Sequence, residues 1–278
     1  MKVLKLSLIF VPLLVACGDT GVDNTDVAHT NSAIVGGITD EGHMYVVGVG
    51  DGQAPWCSAT VISTNTVLTA AHCVDGMPPS HVHFGTDLLV PHTTMVVSQA
   101  VVHPSWAGGT GSDLALLKTQ QPMPVQPAVL LRKTLNNSPV YMGPDWTFVG
   151  YGVDDGIQGT GFGTKRVAAF PYKTLGPTTT AADQMPVSAD FIYYETNIQS
   201  GCNGDSGGPS FFIDGMVEKQ GAVTSWGSPG CQQYGVYARV DQPYIAAFVQ
   251  PNIDLFEPNN ACKNDGSCNE SCNTTEVF

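Results

Sequence analysis

The chain has 278 residues, enough for one large domain or two small ones, and 42% apolar with 13% charged residues describes a globular protein with a substantial core, not a disordered chain. Its 24 acidic against 11 basic side chains leave a formal charge of -13, which opposes binding to nucleic acid or to anionic membrane surfaces. Short Val, Ile, Thr and Tyr runs punctuated by 31 glycines and 19 prolines point to an all-β protein of short strands.

At the N-terminus Lys2 and Lys5 precede an apolar run from Leu6 to Ala16, short for a bilayer span and well matched to a secretory signal. Residues 1–16 therefore read as a signal peptide, and the protein as exported. Leu14-Val15-Ala16-Cys17 resembles a bacterial lipobox, in which the cysteine is lipidated and becomes the new N-terminus; a plain cleavage site near Ala16 beside an incidental cysteine is the alternative. Residues 17–33 are polar and patternless, as a propeptide or linker would be. Export permits disulfides, and eight cysteines then need partners. No CxxC pairs with zinc-finger spacing occur, which makes metal the weaker explanation.

In SATVISTNTVLTAAHCVDG, His72 stands just after the β-type run Val67-Leu68-Thr69, where the chain turns through small alanines. His81 and His83 share one face of the next strand, a spacing open to metal binding, but no carboxylate cluster accompanies them and no metal or cofactor is expected. In SDLALLK, Asp113 is set against a strongly apolar run, an odd place for a charge without a partner. Further on, Ser206 lies in QSGCNGDSGGPSFF between Asp205 and two glycines, with Gly204 two places before it. A serine that attacks needs such a bare backbone, because its oxygen must be reachable and the amides beside it must point into the same small space. It also needs a base, and the base an orienting carboxylate; His72 and Asp113 are the candidates.

Ile34-Val35-Gly36-Gly37, Thr69-Ala70-Ala71-His72-Cys73, Asp113-Leu114-Ala115-Leu116-Leu117 and Gly204-Asp205-Ser206-Gly207-Gly208-Pro209 together resemble the chymotrypsin-like serine peptidases, in that family's order of histidine, aspartate, serine. The resemblance runs from Ile34 to about Asn252. It implies two six-stranded antiparallel β-barrels packed side by side with a short C-terminal helix, and a triad of His72, Asp113 and Ser206 in the cleft between them. It also implies an oxyanion hole from the backbone N–H groups of Gly204 and Ser206, disulfides Cys57–Cys73 and Cys202–Cys231, and strand-type substrate binding along Ser225-Trp226-Gly227. Ser200 falls at the floor of the specificity pocket, where relatives that cut after Arg or Lys carry an aspartate, and Gly227 and Gly235 fall at its walls. Large apolar residues are the expected preference. Phe148-Val149-Gly150-Tyr151-Gly152 resembles the strand entering the second barrel, and residues 241–250, with Tyr244, Ile245, Phe248 and Val249 on one face, the terminal helix.

Two departures bear on activation. In the family a new ammonium at the isoleucine pairs with the aspartate before the serine, here Ile34 and Asp205. An arginine or lysine usually precedes that isoleucine, whereas Asn31-Ser32-Ala33 does here, so another protease cutting after Ala33 is the expected partner. Val129 occupies a position where some relatives carry a cysteine tethering the propeptide. Residues 253–278 are read as a tail outside the resemblance, whose Cys262, Cys268 and Cys272 are odd in number. The expected function is a secreted endopeptidase acting on proteins or peptides; a silent binding relative and a periplasmic quality-control protease of the same fold are the alternatives.

Overall fold

The computed structural model describes residue 34 and residues 37–90, 92–108, 111–195 and 200–259. The expected signal, Cys17, the bond after Ala33 and the three tail cysteines lie outside the described residues. In the first half, β1 (Val46–Gly50), β2 (Pro55–Val61), β3 (Thr66–Thr69), β4 (His81–Phe84), β5 (Thr93–Val102) and β6 (Ala115–Thr119) close into a barrel in the order β1-β2-β3-β6-β5-β4, with β4 returning to β1. Closure removes the free edges that an open sheet would present. Valines 47, 49, 61, 67 and 82 are wholly buried, as suits β-branched side chains on a pleated surface.

Six longer strands make up the second half: β7 (Asp145–Gly150), β8 (Arg166–Pro171), β9 (Phe191–Glu195), β10 (Pro209–Asp214), β11 (Val217–Gly227) and β12 (Tyr234–Arg239). They run antiparallel in the order β8-β7-β10-β11-β12-β9. Ile38–Thr39 and Thr174–Leu175 extend the two edges, and Val129–Leu130 pairs parallel with β11, giving nine strands. The interior is aromatic. Phe148 and Phe170 stack with ring centres 3.8 Å apart, and Tyr194 meets both edge-on at 4.7 and 4.9 Å. The all-β expectation holds, with one closed six-stranded barrel, a second sheet and a short terminal helix; where the resemblance implies a second six-stranded barrel, the described strands form a nine-stranded sheet.

The helix is longer than the sequence suggests. It runs from Gln242 to Phe256, winding more widely over Ile245–Val249 before Pro251, which has no N–H to give to Ala247. Ile253 and Phe256 are buried against the first-half core together with Ile245, Phe248 and Val249. The packed body therefore continues past Asn252. Glu257 ends the helix by accepting hydrogen bonds from Ser63 Oγ at 2.8 Å, the Asn65 amide at 2.8 Å and Thr66 Oγ1 at 2.6 Å, which ties it to the β2–β3 turn.

Candidate active site

His72 sits in the single 3-10 turn Ala71–Cys73 that follows β3, and the Cys57–Cys73 disulfide fastens that turn to β2. Asp113, only 1% exposed, lies two residues before β6. β3 and β6 are hydrogen-bonded neighbours, with Thr69 opposite Ala115, so the two side chains meet at the same barrel rim. Asp113 Oδ1 accepts the His72 amide at 2.9 Å, and Oδ2 accepts His72 Nδ1–H at 2.7 Å together with the Ser225 hydroxyl. A carboxylate offers no proton, so Nδ1 carries one, and in the neutral ring Nε2 has the lone pair. The imidazole itself is about one-third exposed.

Ser206 lies in the turn before β10, half-buried, and its carbonyl accepts the Ser58 amide of β2 at 2.8 Å. The turn is compact because Gly207, at φ 82°, presses on β3: a Cβ there would stand 2.0 Å from Thr69 Oγ1. The amides of Asp205, Gly207 and Gly208 donate to Cys202, Thr224 and Asp205 carbonyls at 2.8 to 2.9 Å. Those of Gly204 and Ser206 donate to nothing among the described residues. Gly204 adopts φ 97°, and a Cβ on it would lie 2.6 Å from the Phe162 ring. Its carbonyl is turned away by the Ser58 hydroxyl, which donates to it at 2.8 Å. No hydrogen bond joins the Ser206 hydroxyl to His72 among the described residues; in structures without substrate such bonds are commonly long.

Asp205 is 2% exposed, and its oxygens accept the Gly152 and Cys202 amides, each at 2.8 Å. Gly150 and Gly152 are required here, since a Cβ on either would fall within 2.4 Å of the carboxylate. Burial pushes its pKa up to about 6, against the downward pull of the two amides. Among the described residues no cation forms an ion pair with it. Ile34 is buried against the aromatic core of the second half and makes no bond to Asp205 among the described residues.

Beyond Ser206 the Cys202–Cys231 disulfide joins the Ser206 turn to the segment before β12. Ser200 is fully buried, and its hydroxyl lies 3.1 Å from the Gly201 carbonyl and 3.3 Å from that of Tyr234. Gly227 and Gly235 are partners across β11 and β12. A Cβ on Gly227 would stand 3.7 Å from Ser200 Oγ, so the serine and this glycine are close neighbours. Trp226 meets Tyr234 edge-on at 5.9 Å.

Residues 34–247 match the family model described as Trypsin. The chain belongs to the trypsin family. Chymotrypsin-like elastase family member 1 of Homo sapiens is 27% identical over 244 residues, covering 76% of this chain and 88% of that protein. The Canis lupus familiaris protein of the same name is 28% identical with the same coverage of each chain. Complement C1s subcomponent of Bos taurus is 26% identical over 230 residues, 67% of this chain and 31% of that one.

Within this trypsin-family fold, Ser58 and Phe162 are the residues that sequence reasoning passed over. Ser58 follows Cys57 in an ordinary β-type run, and only the bonds from its hydroxyl to Gly204 and from the Tyr151 amide to its oxygen at 2.9 Å distinguish it from core. Phe162 comes from a glycine-rich loop with no signal of its own. His72 also has Cys57 and Cys73 sulfurs nearby, but both are spent in the disulfide, so the group cannot hold a metal.

Proposed function

We propose that this trypsin-family protein is an exported serine endopeptidase that hydrolyses peptide bonds through an acyl-enzyme on Ser206. The observation that supports it most is the bond from His72 Nδ1 to the buried Asp113 at 2.7 Å, which leaves Nε2 free to act as a base. Nε2 takes the Ser206 proton as Oγ attacks the substrate carbonyl carbon, and Asp113 stabilises the resulting imidazolium. The Gly204 and Ser206 amides receive the oxyanion. Collapse of the tetrahedral adduct breaks the C–N bond as His72 protonates the leaving amine, and water, deprotonated by His72, then releases the acid. The substrate backbone lies along Ser225-Trp226-Gly227 as an added strand.

Activation follows cleavage after Ala33 by another protease, the new Ile34 ammonium pairing with Asp205. The buried carboxylate held by two amides, with no ion pair to it among the described residues, supports this. Lipid on Cys17 anchors the precursor, and Val129 stands where some relatives carry a cysteine that tethers the propeptide covalently, so activation also releases the catalytic body. Large apolar residues before the scissile bond are preferred. Ser200 cannot compensate a desolvated guanidinium, whose unpaired burial costs several kcal/mol, whereas burying Phe, Tyr or Leu gains about 1.5 to 3 kcal/mol.

Steady-state kinetics on matched peptides ending in Phe, Leu, Ala and Arg test the reading. The apolar peptides are expected to lead in kcat/KM, and Ser206→Ala to lose about 10⁶-fold in kcat. Hydrolysis by Ser206→Ala at the parent rate contradicts the mechanism, and a preference for Arg contradicts the pocket.

A further inference from the structure

The pairing His81 with His83 suggested by strand spacing is not the one the fold makes. His83, wholly buried on β4, faces His92, which lies half-buried just before β5. His83 Nε2 is 2.8 Å from the Asp51 carbonyl oxygen, and His92 Nδ1 is 2.7 Å from that of Val90. A carbonyl oxygen only accepts, so each of these nitrogens carries its ring's proton. The two remaining nitrogens, His83 Nδ1 and His92 Nε2, stand 2.7 Å apart. In neutral rings both present lone pairs, and two facing lone pairs repel unless an electron-pair acceptor lies between them.

We propose that His83 Nδ1 and His92 Nε2 form a binding site for a divalent transition-metal ion of borderline softness, such as zinc. Imidazole nitrogen suits such ions. Giving the other ring N–H to a backbone carbonyl is the outer-shell arrangement that fixes the tautomer and aims metal-ligating histidines, and here both rings have it. Two nitrogens on one tetrahedral zinc stand about 3.3 Å apart, so the half-exposed His92 needs to swing by only about half an ångström. The same open side admits water to the remaining coordination positions, and the formal charge of -13 draws cations to the molecule. His81 takes no part, its Nδ1 lying 2.9 Å from Ser80 Oγ. Bound metal fastens β4 to the connection through Thr86 and Leu88, whose backbones already bond to Lys165 at 2.7 Å and Gly163 at 2.8 Å in the second half.

Calorimetric titration with zinc chloride and thermal melting in zinc or EDTA decide the matter, using the full chain with Ser206→Ala to prevent self-digestion. The expected result is one zinc per chain and a melting temperature several degrees higher in zinc, both lost in His92→Ala and kept in His81→Ala. His92→Ala changes a half-exposed side chain, and an unaltered melting temperature in EDTA verifies its fold. Cobalt(II) is the second probe: visible absorption bands on binding to the parent chain, gone in His92→Ala, report imidazole ligation directly. Absence of zinc binding, zinc binding that survives His92→Ala, or binding lost instead on His72→Ala overturns the proposal.

Discussion

Asp113 meets donors on every side: the His72 amide, His72 Nδ1 and the Ser225 hydroxyl. Asp113→Asn places an amide NH₂ where one oxygen was, which favours the tautomer with the proton on Nε2 and removes the base. A fall of about 10⁴ in kcat is expected with the fold intact; a fall below tenfold in steady-state assays speaks against Asp113 as the orienting group. Asp205 poses a different question. Its folded pKa near 6 stands above the ordinary 3.8, with burial as the main cause. Between about pH 4 and 6 the folded, uncleaved chain keeps a proton that the unfolded chain has released, so this residue's contribution to stability falls as pH rises, by about 3 kcal/mol across the window. Asp205→Asn has no such proton. Denaturant unfolding of the uncleaved chain should therefore show the variant gaining on its parent from pH 4 to pH 6 and holding level above; a constant difference across that range contradicts the assignment.

Between elements, the halves share buried apolar clusters, and polar contacts add to them. His43, on the chain entering β1, donates from Nδ1 to Asp40 and from Nε2 to Glu218 of β11, each at 2.9 Å. Burial lowers its pKa, but the two carboxylates outweigh it and raise the value from 6.5 to about 9. A raised histidine contributes stability that is fully present below its unfolded pKa and is lost as pH rises through 9. His43→Gln should accordingly cost about 1 to 2 kcal/mol near pH 6, discounted for the ring's partial exposure, and little at pH 10. Equal losses at both values refute the ionic account. The Glu257 clamp makes a second case. Glu257→Ala leaves the donors of Ser63, Asn65 and Thr66 unpaired at a buried site, and a loss of about 2 to 3 kcal/mol in unfolding free energy is expected; a loss under 0.5 kcal/mol indicates that water replaces the carboxylate.

Across the whole molecule, legibility follows the distance over which a signal acts. His72, Asp113 and Ser206 stand out in the sequence because nucleophilic chemistry needs particular residue types in particular local backbone, and the β-type runs announce their strands. His43 and Glu218 are 175 positions apart, Ser63 and Glu257 194, and nothing in either stretch names its partner. His83 illustrates the same limit: period-two spacing put it with His81, whereas the β4–β5 hairpin brings His92 to it. The helix end is not legible in the sequence because Ile253 and Phe256 reveal their burial only once the first barrel supplies a surface. The central claim is that Ser206 is the atom that attacks, activated by His72. Its most direct measurement is fluorophosphonate labelling of the chain processed to begin at Ile34, with the adduct located by mass spectrometry of its peptides. The account predicts a single adduct on Ser206 that forms orders of magnitude more slowly in His72→Ala; an adduct on another serine, or labelling of Ser206 undiminished in His72→Ala, would contradict it.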